Sequence, residues 1–545
     1  MKRYLVILMA CVMLLTSVTA FAYDYKGTDY TFTYEDFPIY EETETVTMMG
    51  VKHPIHGDWD KMVFFNMMEE ATGIHMDITT VPLDSYTEQI NLAINTESYA
   101  EVMLGCMITN KQTVDWASQG ILLPLDEYMS EELTPNLCAF LDQYPAVKGA
   151  ATAPDGHIYT LPQLNAAPIA YLSPFWVNND WLEALGLTDA DLPTTIDGIL
   201  DLARRMRDED PNGNGEADEI PISIYAGGTN GLGGLDIWLG AFGLPSSQVY
   251  VDDNGQMQFG MLDAERMTAF LTFCKTLYDE NLIPKDFLQM IQSDQSGLGA
   301  ENRIGIAMQA IPMNIWPFTE GTNEERDAKA ASYPMLPVPG SDLSDPMLPH
   351  TGYGIQTGTF ALTDLCEQNG HVEAMMRWVD YLYSEEGSYL IHYGPEGIIY
   401  VNDEEGRRIS QYFDDGRSPE EVRGGDITPD CGIAMPKYVR PDTEGRTTEL
   451  QQIVRNEQAA NKQAPFARLV KPALFFTEEE TAELATIETD LDTFVGSVKA
   501  KFITGELDLA NYEDEVVRPL MENFKIERLL EIYQGAYDRY MAAVG

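Results

Sequence analysis

The chain has 545 residues, too many for one ordinary core, and its 44% hydrophobic content is that of a folded protein rather than a disordered one. Its 87 acidic residues against 34 basic ones give a formal charge of −53. Such a surface repels nucleic acid and other polyanions at long range, and it weighs against an anionic ligand.

Residues 1–22 read as a secretory signal. Lys2 and Arg3 form the charged start, 4–18 is mostly apolar, and Ala20-Phe21-Ala22 is a small-x-small cleavage site that would leave Tyr23 first. Leu8-Met9-Ala10-Cys11 is a poor lipid-attachment box, because Met9 is bulky and the residues after Cys11 stay apolar. Simple cleavage is therefore expected, with lipid anchoring at Cys11 as the disfavoured alternative. The expected location is outside the cell, on the extracellular face of the membrane or in a periplasm. No later stretch is apolar for long enough to span a bilayer.

From 45 onward, strand and helix signals alternate. Residues 45–51 read as a strand and 59–71 as a helix that Thr72-Gly73 ends. Residues 74–79 alternate apolar and polar like a half-buried strand, and Pro82 stops them. A helix at 84–94 and a short buried strand at 100–104 follow. This rhythm predicts an α/β fold with a mainly parallel sheet. Thr194, with Asp197 three residues on, reads as the cap of a helix whose apolar face is Ile196, Ile199, Leu200, Ala203 and Met206. Further helices are expected at 372–383 and at the end of the chain. There Ile526, Leu529, Leu530, Tyr533, Tyr537 and Met541 form one stripe.

The capped helix runs into Asp210-Pro-Asn212-Gly-Asn214-Gly215-Glu216-Ala-Asp218-Glu219. Oxygen-bearing side chains fall at every second position, so a tight loop can wrap one hard cation. Asp210, Asn212, Asn214 and Asp218 would offer side-chain oxygens and Glu216 a backbone carbonyl, while Gly215 permits the sharp turn. Pro221 stands where an EF-hand has its bidentate Glu, so Glu219 would have to close the shell. The expected cofactor is a structural Ca²⁺; the competing reading is a bare Asn-Gly turn.

Catalytic motifs are missing. The sequence contains neither a G-x-S-x-G elbow nor an H-E-x-x-H zinc helix, and the Gly-rich stretch 227–234 lacks the Lys-Ser/Thr of a phosphate loop. His53 and His56 are close in sequence, but Pro54 holds them in an extended turn, a weak metal pair. Five cysteines besides Cys11 are widely spaced and suggest neither a disulfide framework nor a zinc site. Aromatic residues are more suggestive, because the C–H face of a sugar ring stacks on an aromatic face. Trp176, Trp316 and Tyr353 lie beside expected lobe crossings and Trp238 follows the Gly-rich stretch; these four are the candidate ligand contacts. Trp59, Trp116, Trp181 and Trp378 are expected in the core.

Several local patterns follow one another in a fixed order along the chain. They include Ala71-Thr-Gly-Ile74, Trp116-Ala-Ser-Gln-Gly-Ile-Leu-Leu-Pro-Leu-Asp126, Pro154-Asp-Gly-His-Ile-Tyr-Thr-Leu-Pro162 and Asn179-Asp-Trp-Leu-Glu-Ala-Leu-Gly-Leu187. Asp210-Pro-Asn-Gly-Asn-Gly215, Ser384-Glu-Glu-Gly387, Tyr393-Gly-Pro-Glu-Gly397 and Ile532-Tyr-Gln-Gly-Ala-Tyr-Asp-Arg-Tyr540 complete the set. With them, nearly the whole chain after residue 22 resembles a family-one extracellular solute-binding protein of ABC importers. It is similar to the large alginate- and oligosaccharide-binding subgroup.

The resemblance implies two α/β lobes that close on a solute and dock on a membrane permease, with no bond made or broken. It also implies Ca²⁺ at Asp210, Asn212, Asn214, Glu216, Asp218 and Glu219. Crossings are expected at 162–165, 311–314 and 352–357. They assign 23–164 and 312–350 to an N-terminal lobe, and 165–311 and 351–545 to a C-terminal lobe, joined by a multi-strand hinge. The expected function is capture of a carbohydrate, an oligosaccharide, by a monomer. The alternatives are a receptor for a non-sugar solute such as a peptide, or a secreted calcium-containing glycosidase or lyase.

Overall fold

The computed structural model describes residues 30–167, 174–224, 234–318, 320–352, 354–413 and 415–545. The expected signal segment, Cys11, Tyr353 and most of the Gly-rich stretch 227–234 lie outside the described residues.

The first lobe is built on a six-stranded sheet. Its spatial order is Lys437–Val439, Leu161–Asn165, Ile355–Leu362, Val102–Leu104, Glu44–Lys52 and Ile74–Pro82. Glu44–Lys52 runs parallel to Ile74–Pro82, with Glu44 opposite Ile74 and Lys52 opposite Pro82. It also runs parallel to Val102–Leu104 on its other side. It is buried on both faces at Val46, Met48, Met49 and Val51, as a central strand between helix layers should be. The sheet is not uniformly parallel: Ile355–Leu362 arrives from far along the chain and pairs antiparallel with both its neighbours. Its register shifts between Gln356 and Phe360. Gly358 sits in that shift at φ +72°, and a Cβ there would lie 2.0 Å from the Ile108 carbonyl oxygen, so only glycine fits.

The second lobe has a three-stranded sheet of order Phe175–Val177, Ile304–Met308, Ile220–Ser223. Helices Ile196–Asp208, Ala264–Asp279, Glu478–Thr504 and Ile526–Val544 contribute to a common core around it. A separate cluster of Trp176, Ile304, Ile315, Trp316, Tyr333, Met335 and Leu348 fills the other side of this sheet.

The local readings hold with small shifts. The helix expected at 59–71 breaks at Met62, whose ψ of 142° is extended, into a short turn Trp59–Lys61 and the helix Val63–Thr72. Gly73 then ends it in the left-handed conformation at φ 73°. The cap of Ile196–Asp208 is Thr195 rather than Thr194; its hydroxyl accepts the Gly198 N–H at 3.2 Å. The terminal stripe is the helix Ile526–Val544.

The lobe exchange differs from expectation. Residues 312–350 belong with the second lobe, because Trp316, Tyr333, Met335 and Leu348 pack against its sheet. Residues 355–362 and 437–439 are strands of the first-lobe sheet, so 351–545 does not form one lobe. The expected crossing at 311–314 is a turn, Pro312–Asn314, inside the second lobe. The chain leaves the first lobe after Leu161–Asn165, returns between Leu348–His350 and Ile355–Leu362, and leaves again after Lys437–Val439. Helix Leu450–Lys462 then packs on Asn323–Ala331 of the second lobe. The last helices touch both lobes. Glu478–Thr504 meets Ala264–Asp279 and Asn110–Ser118, and Ile526–Val544 meets Met257–Phe259 and Pro145–Ala151.

Candidate functional site

Ligands of α/β sheets bind beyond the carboxyl ends of the strands. In the first lobe the parallel strands Glu44–Lys52 and Val102–Leu104 end near His53–His56 and Met107–Asn110. In the second, Ile220–Ser223 and Ile304–Met308 end near Gln309. These ends carry ordered polar groups. Asn110 donates from Nδ2 to the Leu474 carbonyl at 3.0 Å and accepts the Thr357 hydroxyl at 3.3 Å, tying two chain passages together. Gln309 donates to Gln295 at 3.2 Å, and Gln295 donates in turn to the Ser223 hydroxyl at 3.3 Å.

His56 is fully engaged. Its Nδ1 accepts from the His53 backbone and from Trp59 Nε1, both at 3.2 Å, which leaves the proton on Nε2 for the Cys431 carbonyl at 2.7 Å. Burial lowers its pKa to about 4. It pins the loop after the first strand to the segment before Lys437–Val439 and is not half of a metal pair with His53.

Three of the four proposed ligand aromatics are core residues instead. Trp176 is 1% exposed, and its indole N–H donates to the Gln309 carbonyl at 2.9 Å. Trp316 is 4% exposed, donates to the Ile304 carbonyl at 3.1 Å and lies 4.9 Å from the Tyr333 ring. Trp238 is wedged between Phe175 and Phe273. A place beside an expected crossing or a Gly-rich stretch does not say which way a side chain points, and in each case the ring turned inward to bury its apolar area. The fourth, Tyr353, lies outside the described residues. Trp59, Trp116, Trp181 and Trp378 are buried, as expected.

The acidic loop is a compact Asx-turn assembly. Asp210 (φ +46°) accepts the Gly215 N–H at 3.1 Å. Asn212 accepts the Asn214 N–H at 3.0 Å, and Asn214 accepts that of Glu216 at 2.7 Å. Both amides also donate to Asp218 Oδ1, at 3.2 and 3.0 Å, and Arg303 meets Asp218 Oδ2 at 2.9 Å. Glu219 Oε1 is buried without a hydrogen-bond partner. Burial and the charges of Asp210 and Asp218 raise the Glu219 pKa. Among the described residues no three His, Cys, Asp or Glu side chains converge closely enough to hold a metal by themselves. A cation here would need the Asn amides and the Glu216 carbonyl as well. With them, an all-oxygen donor set and an orphaned carboxylate oxygen fit a hard cation.

Two polar clusters escaped the sequence reading. One lies where the chain leaves the first lobe after Lys437–Val439. Lys437 is 2% exposed and ion-paired with Asp430, which accepts His392 Nδ1 at 2.6 Å. His392 Nε2 lies 3.3 Å from Glu444, which also accepts from Tyr393 and from Gln452 on the helix Leu450–Lys462. Arg408 stacks 3.9 Å over the Tyr393 ring and donates to the Thr443 carbonyl, fastening this connector.

The other cluster joins Lys499, Asp236 and Ser247 at the wall of a second-lobe cavity of about 560 Å³. A lysine at 499, among Leu491, Val495, Val498 and Phe502 on one helix face, was the available signal. A lone cation on an apolar stripe needs a buried partner.

Comparison with known proteins agrees with this architecture. Over 96% of its length the chain is 26% identical to the fructooligosaccharide ABC transporter substrate-binding protein FusA of Streptococcus pneumoniae, covering 94% of that protein. The structure of FusA in complex with kestose superposes with a TM-score of 0.71 at 25% identity, over 92% of this chain and 100% of that one. A solute-binding protein of Bifidobacterium longum infantis described as binding HMO shares the fold, with a TM-score of 0.75 at 18% identity over 91% and 99% of the two chains. No helix among the described residues is long and apolar enough to cross a membrane. Residues 54–388 match the family described as bacterial extracellular solute-binding protein, and the chain belongs to that family.

Proposed function

We propose that this chain is the oligosaccharide receptor of an ABC importer, working outside the cell and passing its solute unchanged to the permease. The observation that carries the reading is the near end-to-end similarity to a fructooligosaccharide-binding relative, 26% identity with 96% and 94% of the two chains covered. The two-lobed fold supplies the physics. A solute that touches both lobes only when they close binds the closed state better, so it shifts the population toward closure. The permease reads the changed outer surface. The function is binding rather than catalysis.

In this reading the loop 210–219 holds a structural Ca²⁺ through Asp210, Asn212, Asn214, Asp218 and Glu219 side chains and the Glu216 carbonyl. Its charge would neutralise the crowded carboxylates that raise the Glu219 pKa. The ion supplies stability to a corner of the second lobe and takes no part in solute chemistry.

The test is a thermal-shift screen of neutral, amino and acidic oligosaccharides and of peptides, followed by an assay of any hit for new reducing ends. A saccharide that raises the melting temperature and is recovered intact supports the receptor. Stabilisation by peptides alone, or accumulation of shortened sugars, overturns it.

A further inference from the structure

Among the described residues, six that are not glycine hold a positive φ: Glu97, Met107, Asp210, Asn281, Asn302 and Lys525. Asp and Asn tolerate the left-handed region, because their short polar side chains bond locally there. Glu97 comes just after the helix Tyr86–Asn95 and Lys525 just after Arg518–Asn523, where a left-handed residue commonly ends a helix, and both are exposed. Met107 is different. It follows the strand Val102–Leu104 at φ +48°, and its apolar side chain is half-buried against the first-lobe core.

The surrounding backbone holds this strain in place. The Gly105 N–H donates to the Thr359 carbonyl at 2.7 Å, and the Ile108 N–H donates to the Gly358 carbonyl at 3.1 Å, so the strand Ile355–Leu362 pins the loop on both sides of Met107. The Cys106 thiol adds a contact to the Met49 carbonyl at 3.3 Å. Cys106 and Ile108 are 1% and 2% exposed, so Met107 is the one residue of the three left partly in solvent. Glycine or asparagine would take this conformation with less strain. A residue kept in a sparsely populated region despite its cost points to a use for its side chain, and ligand clamps are among the places where such residues gather.

The position suits such a use. The strands Leu161–Asn165 and Lys437–Val439 end at this edge of the first-lobe sheet, and Ile355–Leu362 begins there, so all three passages between the lobes leave or arrive beside it. Asn110, three residues after Met107, binds Thr357 in one of these strands and the Leu474 carbonyl of a segment from the other core. Met107 thus stands at the carboxyl end of a parallel strand, where α/β sheets take their ligands, and close to the passages that define the cleft. Its thioether is polarisable, uncharged and carried on a flexible stem, which lets it mould to the C–H face of a sugar ring.

We propose that Met107 is a solute-contacting residue of the first lobe, held in the left-handed region so that its thioether meets the C–H face of a saccharide ring. The assignment rests on the oligosaccharide-receptor reading and adds to it one contact on the first-lobe side of the cleft.

The test begins with a calorimetric panel of fructo-, galacto- and manno-oligosaccharides and oligogalacturonates on wild-type protein. Titrations of Met107→Gly and Met107→Leu follow with the best binder. Glycine removes the side chain but relieves the backbone, so Met107→Gly should melt within about 3 °C of wild type. Its affinity should nevertheless fall by about tenfold, the scale of a lost apolar contact, while Met107→Leu should stay within about threefold of wild type. A residue that only packs the core gives the opposite pattern, a lower melting point with affinity kept. Wild-type protein supplies a second readout that does not depend on any variant folding: the bound sugar should slow peroxide oxidation of Met107, but not of the exposed Met521, scored by mass spectrometry. An affinity change below about threefold in folded Met107→Gly, or unchanged oxidation of Met107, overturns the contact and leaves the receptor reading intact. If no saccharide of the panel binds wild type, the receptor reading falls and the contact with it.

Discussion

Glu444 Oε1 lies 3.3 Å from His392 Nε2, and that contact sits on the connector between the first-lobe strand Lys437–Val439 and the second-lobe helix Leu450–Lys462. The same carboxylate accepts from Tyr393 at 3.3 Å and from Gln452 at 3.1 Å, so it joins groups on both sides of the passage. Burial works against its ionisation. The His392 contact, with Arg455 and Arg408 nearby, outweighs that and lowers its pKa to about 2.

Replacing Glu444 with Gln should destabilise the protein at neutral pH by about 2–3 kcal/mol, the range for hydrogen bonds to charged groups. The sign of the pH dependence follows from the lowered pKa. The carboxylate contributes fully above its ordinary value of 4.5, and its contribution fades as pH falls toward 2. Urea midpoints of wild type and Glu444→Gln should therefore converge below pH 4.5; a constant gap down to pH 3 would contradict the assignment.

His56 acts in a higher window. Its pKa falls from 6.5 to about 4 on burial, so the neutral ring stabilises the fold above pH 6.5 and that stability is lost as pH drops toward 4. At about 1.4 kcal/mol per unit, this residue alone should remove about 2 kcal/mol between pH 7 and pH 5. His56→Gln should start less stable at pH 7 and show a shallower decline over that interval in denaturation measured by circular dichroism.

Trp316 tests the correction to the cleft. As a buried ring hydrogen-bonded to the Ile304 carbonyl, its replacement by Ala should cost about 3–5 kcal/mol of stability. Saccharide affinity of the folded fraction should change by less than about threefold. A stable Trp316→Ala with lost affinity would return the ring to the ligand site.

Calcium should raise the melting temperature after exhaustive chelation, and Asp210→Ala should abolish the rise. Elemental analysis of the native protein supplies a second check, with about one calcium per chain expected from a single loop of this type. Identical melting curves with and without calcium, and no metal found, would leave the loop as a self-sufficient turn.

Much of the fold could be read from pattern. The alternation after residue 45, the face of Ile196–Asp208 and the terminal stripe all became the elements they suggested, because periodicity reports burial directly. The turn geometry of the acidic loop was also legible, since the side chains that build its Asx turns lie within ten residues of one another. Lobe membership was not. Whether Ile355–Leu362 joins the first sheet depends on pairing with Val102–Leu104, some 250 residues away, and nothing local encodes that partner. The ligand aromatics failed for a similar reason: Trp176 stands near a passage but its ring had the option of facing the core, and the turn beside Trp316 lies inside the second lobe. Asp236 and Lys499 form a pair whose members are too far apart in sequence to signal one another.

The terminal helix has a mechanical consequence. Gly149 leaves the space into which Tyr540 and Val544 settle, since a Cβ there would lie 2.9 Å from Tyr540 and 2.8 Å from Val544. The same helix is rooted through Leu529 and Ile532 in the opposite core. Any swing of the lobes must slide or bend this strut, which makes the far end of the polypeptide a brake on the jaw. Clipping its last two turns should loosen the gape.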